Sequence, residues 1–216
     1  MRAILLVLAT ALVLAGCAAG PRAVPDEREA AWRDLRDRLA RLEHWRAEGR
    51  LSVRSGGDGG QARFSWVEDG AAGFRLRLSG PWGQGAARLA GGDGTARLLT
   101  GADERYAGPD AGTLLARVYG WEIPVDGLRR WLIGLPAGGA DYTLDRFGRL
   151  ATLEWGGWRI EYGRYHQVGG LDLPAVLRAR RVERDTEVRV VVDEWRTGAN
   201  EGGAPVPDSP VPLIGD

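Results

Sequence analysis

Few side chains in this 216-residue sequence could do covalent or acid–base chemistry, and their placement narrows what that chemistry can be. Cys17 is the only thiol, so no intramolecular disulfide can form. His44 and His166 are the only imidazoles; they are far apart in sequence and neither stands in a cluster with metal-ligand spacing. Every basic residue is Arg. Without Lys there is no Walker-type phosphate loop and no Schiff-base nucleophile. No H-E-x-x-H, C-x-x-C or G-x-S-x-G occurs. Gly57 to Ala62 fits G-x-G-x-x-A, but it joins two alternating segments rather than a strand and a helix, so it does not make a dinucleotide loop. The carboxylates alternate with Arg, as charge does on a solvated face, and the acid pair of a glycosidase has no spacing signature to set against that. The sequence reads as a non-enzyme with no cofactor and no metal site.

The surroundings of Cys17 give its thiol a different use. Arg2 is followed by an apolar run from Ala3 that ends in Leu14-Ala15-Gly16-Cys17. The run is shorter than the roughly 20 apolar residues a spanning helix needs, so it reads as an export signal. Its ending resembles a bacterial lipobox. That resemblance implies cleavage before Cys17, a diacylglyceryl group on its sulfur and an acyl chain such as palmitate on its new amino group. Residues 1–16 are then a lipoprotein signal peptide, and 17–25 a lipidated tether. Ala18 stands where Asp holds enterobacterial lipoproteins at the inner membrane, which points to an outer-membrane address. Basic and acidic residues balance at 29 each with no basic block, which argues against nucleic-acid binding.

The rest of the chain must position whatever this anchor serves. Asp26 with Glu29 looks like a capping box, and Trp32, Leu35, Leu39, Leu42 and Trp45 recur at spacings of three and four, predicting a helix from Asp26 to Gly49. From Arg50 the period becomes two. Leu51 and Val53 share a face, as do Ala62, Phe64 and Trp66, and then Phe74, Leu76 and Leu78; Ala87, Leu89, Ala96 and Leu98 continue the pattern. Asp-Gly and Gly-Gly turns separate these segments. Two short helices follow, one with Asp110 as cap and Leu114, Leu115 and Val118 as its stripe, the other with Asp126 as cap, carrying Leu128, Trp131, Leu132 and Leu135 and ended by Pro136. Strands return through "DYTLD", "GRLATLEWGG", "WRIEYGRY", "AVLRARRVER" and "TEVRVVVDEW". Trp155 falls with Trp32, Trp45, Trp66 and Trp131 on the apolar stripes. Residues 197–216 hold four Gly and four Pro without periodicity, and read as a disordered tail.

The order predicts a mostly β protein with helices (α+β), in which a single curved antiparallel sheet lies with its apolar face under helices. The helices either fill that face completely or leave an apolar cavity under them. Leu51, Val53, Phe64, Trp66, Phe74, Leu76 and Leu78 from the strands, with Leu114, Val118, Trp131 and Leu135 from the helices, are its wall or its core. One side chain has no implied partner. "SGPWGQG", Ser79 to Gly85, puts Trp82 at the tip of a hairpin between Pro81 and Gly83, where turns are usually polar. The indole either folds back onto the sheet or meets an apolar neighbour outside the chain.

"GWEIPVDGLRRWLIGLPAGGADYTLDRFGRL", Gly120 to Leu150, resembles the LolB family, the outer-membrane lipoprotein receptors of the lipoprotein-localisation pathway. The shared core is Ile123-Pro124, Leu128-Arg129, Trp131, Gly134-Leu135-Pro136 and Asp141-Tyr142. The lipobox, "ARFSW", "RLRLSGPWG" and the terminal "VVDEW" agree as well, so the resemblance runs from about Trp32 to Trp195. It implies an unclosed β-barrel over residues 26–196 whose concave apolar face is covered by helices, as in the LolA/LolB-like fold. It implies a monomer that accepts lipoproteins from a soluble periplasmic carrier (LolA-like), holds their acyl chains in the cavity, and inserts them into the inner leaflet of the outer membrane. The protein would be anchored there by its lipid and face the periplasm. The family's membrane-insertion loop maps onto Pro81, Trp82 and Gly83, with Trp82 in place of the usual Leu; indoles favour the headgroup region of a bilayer. The competing reading is an accessory or structural outer-membrane lipoprotein, or a lipid carrier, without lipoprotein transfer.

Overall fold

The structure, a computed structural model, describes residues 25–80, 86–92 and 94–198. Cys17 with the expected signal peptide, the tether up to residue 24, the Pro81-Trp82-Gly83 tip and the tail from residue 199 lie outside the described residues, as does the Asp26 side chain of the expected capping box.

The chain opens with helix α1 (Pro25–Leu39), which buries Trp32, Leu35 and Leu39. The helix stops ten residues short of Gly49. Leu42 and Trp45 extend a three-and-four spacing, but Trp45, Ala47, Gly49, Leu51 and Val53 also occupy alternate positions. The strand wins, because β1 (His44–Ser55) pairs along its length with β2 (Asp58–Asp69) on one side and with β13 (Thr186–Thr197) on the other. A full set of ladder hydrogen bonds on both edges outweighs a helix propensity worth a few tenths of a kcal/mol per residue.

The meander continues through β3 (Phe74–Ser79), β4 (Ala87–Gly92), β5 (Thr95–Leu99) and β6 (Arg105–Gly108). Helices α2 (Ala111–Tyr119) and α3 (Val125–Leu132) interrupt it. The chain then returns by β7 (Asp141–Leu144), β8 (Leu150–Trp155), β9 (Trp158–Tyr162), β12 (Val176–Arg181) and β13. The result is one antiparallel sheet of eleven strands in the order β6-β5-β4-β3-β2-β1-β13-β12-β9-β8-β7. β13 lies against β1, so the two halves of the chain meet at the centre of the sheet. The ends, β6 and β7, do not pair with each other, and the sheet stays an unclosed barrel. A hairpin of β10 (Tyr165–Val168) and β11 (Leu171–Pro174) forms a small second sheet. Neither this hairpin nor β6 stands out in the sequence, since none of the three is longer than four residues.

The expected alternation holds at the centre of the sheet. In β3 the burial alternates strictly, with Phe74, Leu76 and Leu78 inside and Arg75 and Arg77 outside. β13 breaks the alternation once. Val188, Val190 and Val192 face inward at even positions, and Trp195 faces inward at an odd one. The switch is a β-bulge: Glu48 pairs with Glu194 and Gly49 with Val192, leaving Asp193 as the extra residue. Gly49 is required there, because a Cβ would sit 2.0 Å from the Val191 carbonyl oxygen.

Three expectations on the second half need correction. Asp126 does not cap α3. Pro124 holds the N-cap position, and Asp126 lies in the first turn, where a carboxylate favours the helix dipole. α3 stops at Leu132, before Pro136, with Gly134 taking a positive φ of 73°. Trp155 is not in the core: it ends β8 beside the Gly156-Gly157 turn and stays 38% exposed.

Replacing Gly49 with Ala should lower stability by about 2–3 kcal/mol, because β1 and β13 must part to admit one methyl group. Denaturant unfolding measures the loss; a midpoint unchanged from the parent would show that the bulge tolerates a side chain.

Candidate functional site

The candidate site is the inner face of the sheet and the helices laid over it. Leu51, Val53, Phe64, Trp66, Phe74, Leu76 and Leu78 all point there, each between 1% and 7% exposed. Leu114 of α2 and Trp131 of α3 are buried in the same core, and Val118 and Leu135 pack against it, partly buried. All eleven belong to one continuous cluster. Side chains around an open acyl-sized cavity would retain accessible surface, and the nine buried ones do not. In this form the concave face is filled by its cover.

Aromatic rings form a run across this face. Trp195 of β13 meets Trp45 of β1 at 5.4 Å, Trp45 stacks on Trp66 of β2 at 6.0 Å, and Trp66 stacks on Phe74 of β3 at 5.2 Å. Trp195 donates its indole N–H to the Pro174 carbonyl at 2.9 Å, so that polar atom is satisfied inside the core. Trp45, expected on a helix stripe, is instead the middle of this run.

The cover is positioned by local chemistry. The Asp110 carboxylate accepts from the Thr113 backbone N–H at 2.8 Å and from its hydroxyl at 2.7 Å, capping α2 as its sequence predicts. Those bonds, the hydroxyl first, hold the Asp110 carboxyl below the usual carboxylate range. Gly120 ends the helix in the left-handed conformation, with its N–H bonded back to Ala116 and Leu115. α2 lies over β4, β5 and β6 and touches α3.

α3 is fastened by a charge pair absent from the expectations. Glu68, at the end of β2, points inward on the same parity as Phe64 and Trp66 and is only 8% exposed. Arg129 of α3 reaches it with two donors, its Nε at 3.1 Å from Oε2 and its Nη2 on Oε1. The guanidinium also lies 5.0 Å above the Phe74 ring, and the Trp66 indole donates to Glu68 at 3.4 Å. Burial lowers the Arg129 pKa, and Glu68 followed by Asp126 more than offsets it, leaving the group firmly cationic. Two residues along α3, Trp131 packs on Trp158 of β9 at 5.7 Å. β2 and β9 are four places apart in the sheet, about 19 Å if it were flat, whereas a helix with its side chains is about 10–12 Å across. α3 can reach both only because the sheet curls around it. The inward parity of Glu68 was visible in the sequence; its partner was not, since the two residues are 61 positions apart.

Two surface depressions accompany this core. A cleft of about 80 Å³ opens beside Phe74, Asp126 and Arg129, at the margin of the cover. A wider groove of about 610 Å³ lies on the outer face of β1, β2 and β13, where Leu51, Ala62 and Val191 line it beside polar and charged residues. Among the described residues no group of His, Cys, Asp and Glu could hold a metal. His44 bonds Asp69 at 3.1 Å and His166 the Val192 carbonyl at 3.2 Å, so each has a local structural partner. No helix among the described residues is long and apolar enough to cross a membrane.

Comparison with known proteins follows the same outline. A family model described as outer membrane lipoprotein LolB matches residues 43–195. Curated relatives named outer-membrane lipoprotein LolB include one from Halorhodospira halophila, 36% identical over 87% of this chain and 92% of its own. Another, from Alkalilimnicola ehrlichii, is 38% identical over 86% of this chain and 92% of its own. A third, from Pseudomonas aeruginosa PAO1, is 36% identical over 91% and 97%. Among solved structures, a LolA superfamily protein from Nitrosomonas europaea superposes with a TM-score of 0.50 at 8% identity, over 79% of this chain and 92% of its own. A DUF1329 family protein from Desulfovibrio piger gives 0.51 at 7%, over 81% and 93%. These last two likenesses concern the fold alone.

The fastening of the cover can be measured. Glu68→Gln and Arg129→Gln should each cost about 2 kcal/mol, and the double variant at least about 1 kcal/mol less than their sum, in a denaturant-unfolding cycle. Additive losses would mean that the pair does not hold α3. Asp110→Ala should cost about 1 kcal/mol at neutral pH. Because the folded carboxyl titrates below its unfolded value, that difference is present above the unfolded pKa and fades as pH falls through the lowered one; a difference independent of pH would remove Asp110 as an ionised cap.

Proposed function

The chain belongs to the LolB family of outer membrane lipoproteins, and from that premise we propose how it works as a lipoprotein receptor: it takes lipoproteins from a LolA-like periplasmic carrier under its helical cover and releases them into the inner leaflet of the outer membrane. The observation that carries this reading is the concave face itself. It is apolar from β13 to β3, and three helices and the small β10–β11 hairpin add side chains to its core.

Acyl chains in water cost about 0.8 kcal/mol per methylene, so three long chains amount to tens of kcal/mol. Cargo must therefore pass directly from one apolar surface to the next. Nothing in the chain suggests a nucleotide site, so each step runs downhill, from carrier to receptor to bilayer. An aliphatic and aromatic wall suits this task, because burial is non-directional and accepts chains of different length. Since the face is filled in the closed form, acyl chains enter by displacing α2 and α3. The contacts that Leu114 and Trp131 make within the core are replaced by contacts with cargo. The wall in this reading is Leu51, Val53, Phe64, Trp66, Phe74, Leu76, Leu78, Leu114, Val118, Trp131 and Leu135.

Cys17, acylated after removal of residues 1–16, anchors the receptor on the periplasmic side of the outer membrane. Residues 26–196 form the receptor domain, and 197–216 a tail with no assigned part. The lipid holds the domain near the bilayer, and Trp82 between Pro81 and Gly83 dips into it. Burying one indole contributes about 2–3 kcal/mol, too little for an anchor and enough to orient the domain or disturb lipids locally.

Labelled lipoprotein passed from the carrier to this protein, and from it to liposomes, tests the reading in two steps. The parent should complete both, and failure at the first would overturn the receptor assignment. Trp82→Glu should accept cargo at the parental rate and lose most release into membranes. Parental release by that variant would exclude the loop from the second step.

A further inference from the structure

The groove on the outer face of the sheet has the chemistry of an anion site. Arg50 of β1, Arg63 of β2 and Arg189 of β13 line it, with Ser52, Gln61 and Ser79 between them. The register brings them together: Arg63 stands directly across from both Arg50 and Ser79, and Ser52 directly across from both Gln61 and Arg189. Among the described residues no carboxylate lines the groove; Asp193, the bulged residue, pairs with Arg50 at 2.9 Å. Among the described residues, Arg63 and Arg189 carry no ion pair, and neither do Arg77 and Arg88, which face each other across β3 and β4. Like charges directly opposite one another destabilise a sheet. Elsewhere on the outer face Arg54, Arg159 and Arg180 are neutralised by Asp or Glu, whereas Arg97 and Arg105, like Arg77 and Arg88, carry no ion pair among the described residues.

We propose that this groove binds the phosphate of an anionic phospholipid headgroup. Guanidinium forks engage phosphate oxygens in pairs, and the Ser hydroxyls and the Gln61 amide supply further donors, so one phosphate gives Arg63 and Arg189 the anionic partner they lack and shares Arg50 with Asp193. The lining of the groove includes Ser79 and Gly80, which lead out of β3 into residues 81–85. That position selects a membrane lipid over a free ion, and here the proposal rests on the receptor reading, in which this hairpin meets the bilayer. The groove then sets the tilt of the domain by holding one headgroup beside the insertion loop.

The test uses the mature chain from residue 17, with Cys17→Ala to remove the anchor. Its binding is measured to phosphatidylcholine vesicles with and without phosphatidylglycerol. The parent should prefer the anionic vesicles, and Arg63→Gln with Arg189→Gln should weaken that binding about fivefold for each Arg removed. Arg97→Gln with Arg105→Gln, on β5 and β6 away from the groove, loses the same charge and should retain most of the preference. Equal losses in the two double variants would reduce the effect to net charge and overturn the site. Release of the parent from vesicles by millimolar inorganic phosphate would overturn the lipid assignment in favour of a free-ion site. Carrier-to-receptor transfer is followed in parallel. If cargo is accepted normally while anionic lipid makes no difference to vesicle binding, the groove fails and the receptor reading stands; if cargo is refused while the groove still selects anionic vesicles, the reverse holds.

Discussion

The structure depends on one constraint: an eleven-stranded sheet has an apolar inner face and does not close upon itself. Closure would have let each strand cover its opposite number. Without it, Trp66, Leu76, Leu89, Leu98, Ile160 and Val190 need material from elsewhere in the chain. α2 and α3, inserted between β6 and β7, supply it from the point in the chain that lies between the two edges. α1 covers the far side, where Gly148 in the β7–β8 turn comes against its backbone and Trp32 meets Tyr142. At about 25 cal/mol per Å² of apolar surface, each covered Leu or Trp contributes a few kcal/mol, so the helices are as much a part of the core as the strands.

That dependence gives Glu68 and Arg129 their significance. A charge pair in an apolar interior adds little net stability beside a hydrophobic pair of the same size, while breaking it is costly. What the pair provides is register. An apolar helix on an apolar sheet can slide with little penalty; a two-donor fork on one carboxylate, with Phe74 beneath it, fixes α3 in one place. The cover is thus defined by a few directional contacts over a surface that is otherwise indifferent to its partner. That division suits the proposed exchange of helices for acyl chains.

The alternation of β1 from Arg50, of β2 to β5 and of β13, and the caps at Asp110 and Gly120, were legible in the sequence because each is a local pattern. Inward positions were read directly from parity, and nine of the eleven wall residues are deeply buried. The misreadings came where two local patterns coincided or where a distant partner decided. Trp45 fits both a helix stripe and a strand, and only its neighbours in β2 and β13 choose between them. Trp155 has inward parity, but its strand ends before any cover reaches it. The four-residue strands β6, β10 and β11 are too short to show a period. The Glu68–Arg129 pair joins residues that share no pattern, and the arginines of the outer groove meet only through the register of three strands.

The unpaired edges have a mechanical consequence. In a closed barrel, widening the lumen means breaking a seam of hydrogen bonds or changing the stagger of the strands. Here β6 and β7 are four-residue edges with no further strand partner among the described residues, and the bulge at Asp193 interrupts the register of the central strands between them. The sheet can flatten or curl by small changes of twist shared among ten ladders, each keeping its bonds. The gap between the edges is therefore the soft dimension of the molecule. Its elasticity, rather than any single hinge, sets how bulky a load the fold can hold without unfolding.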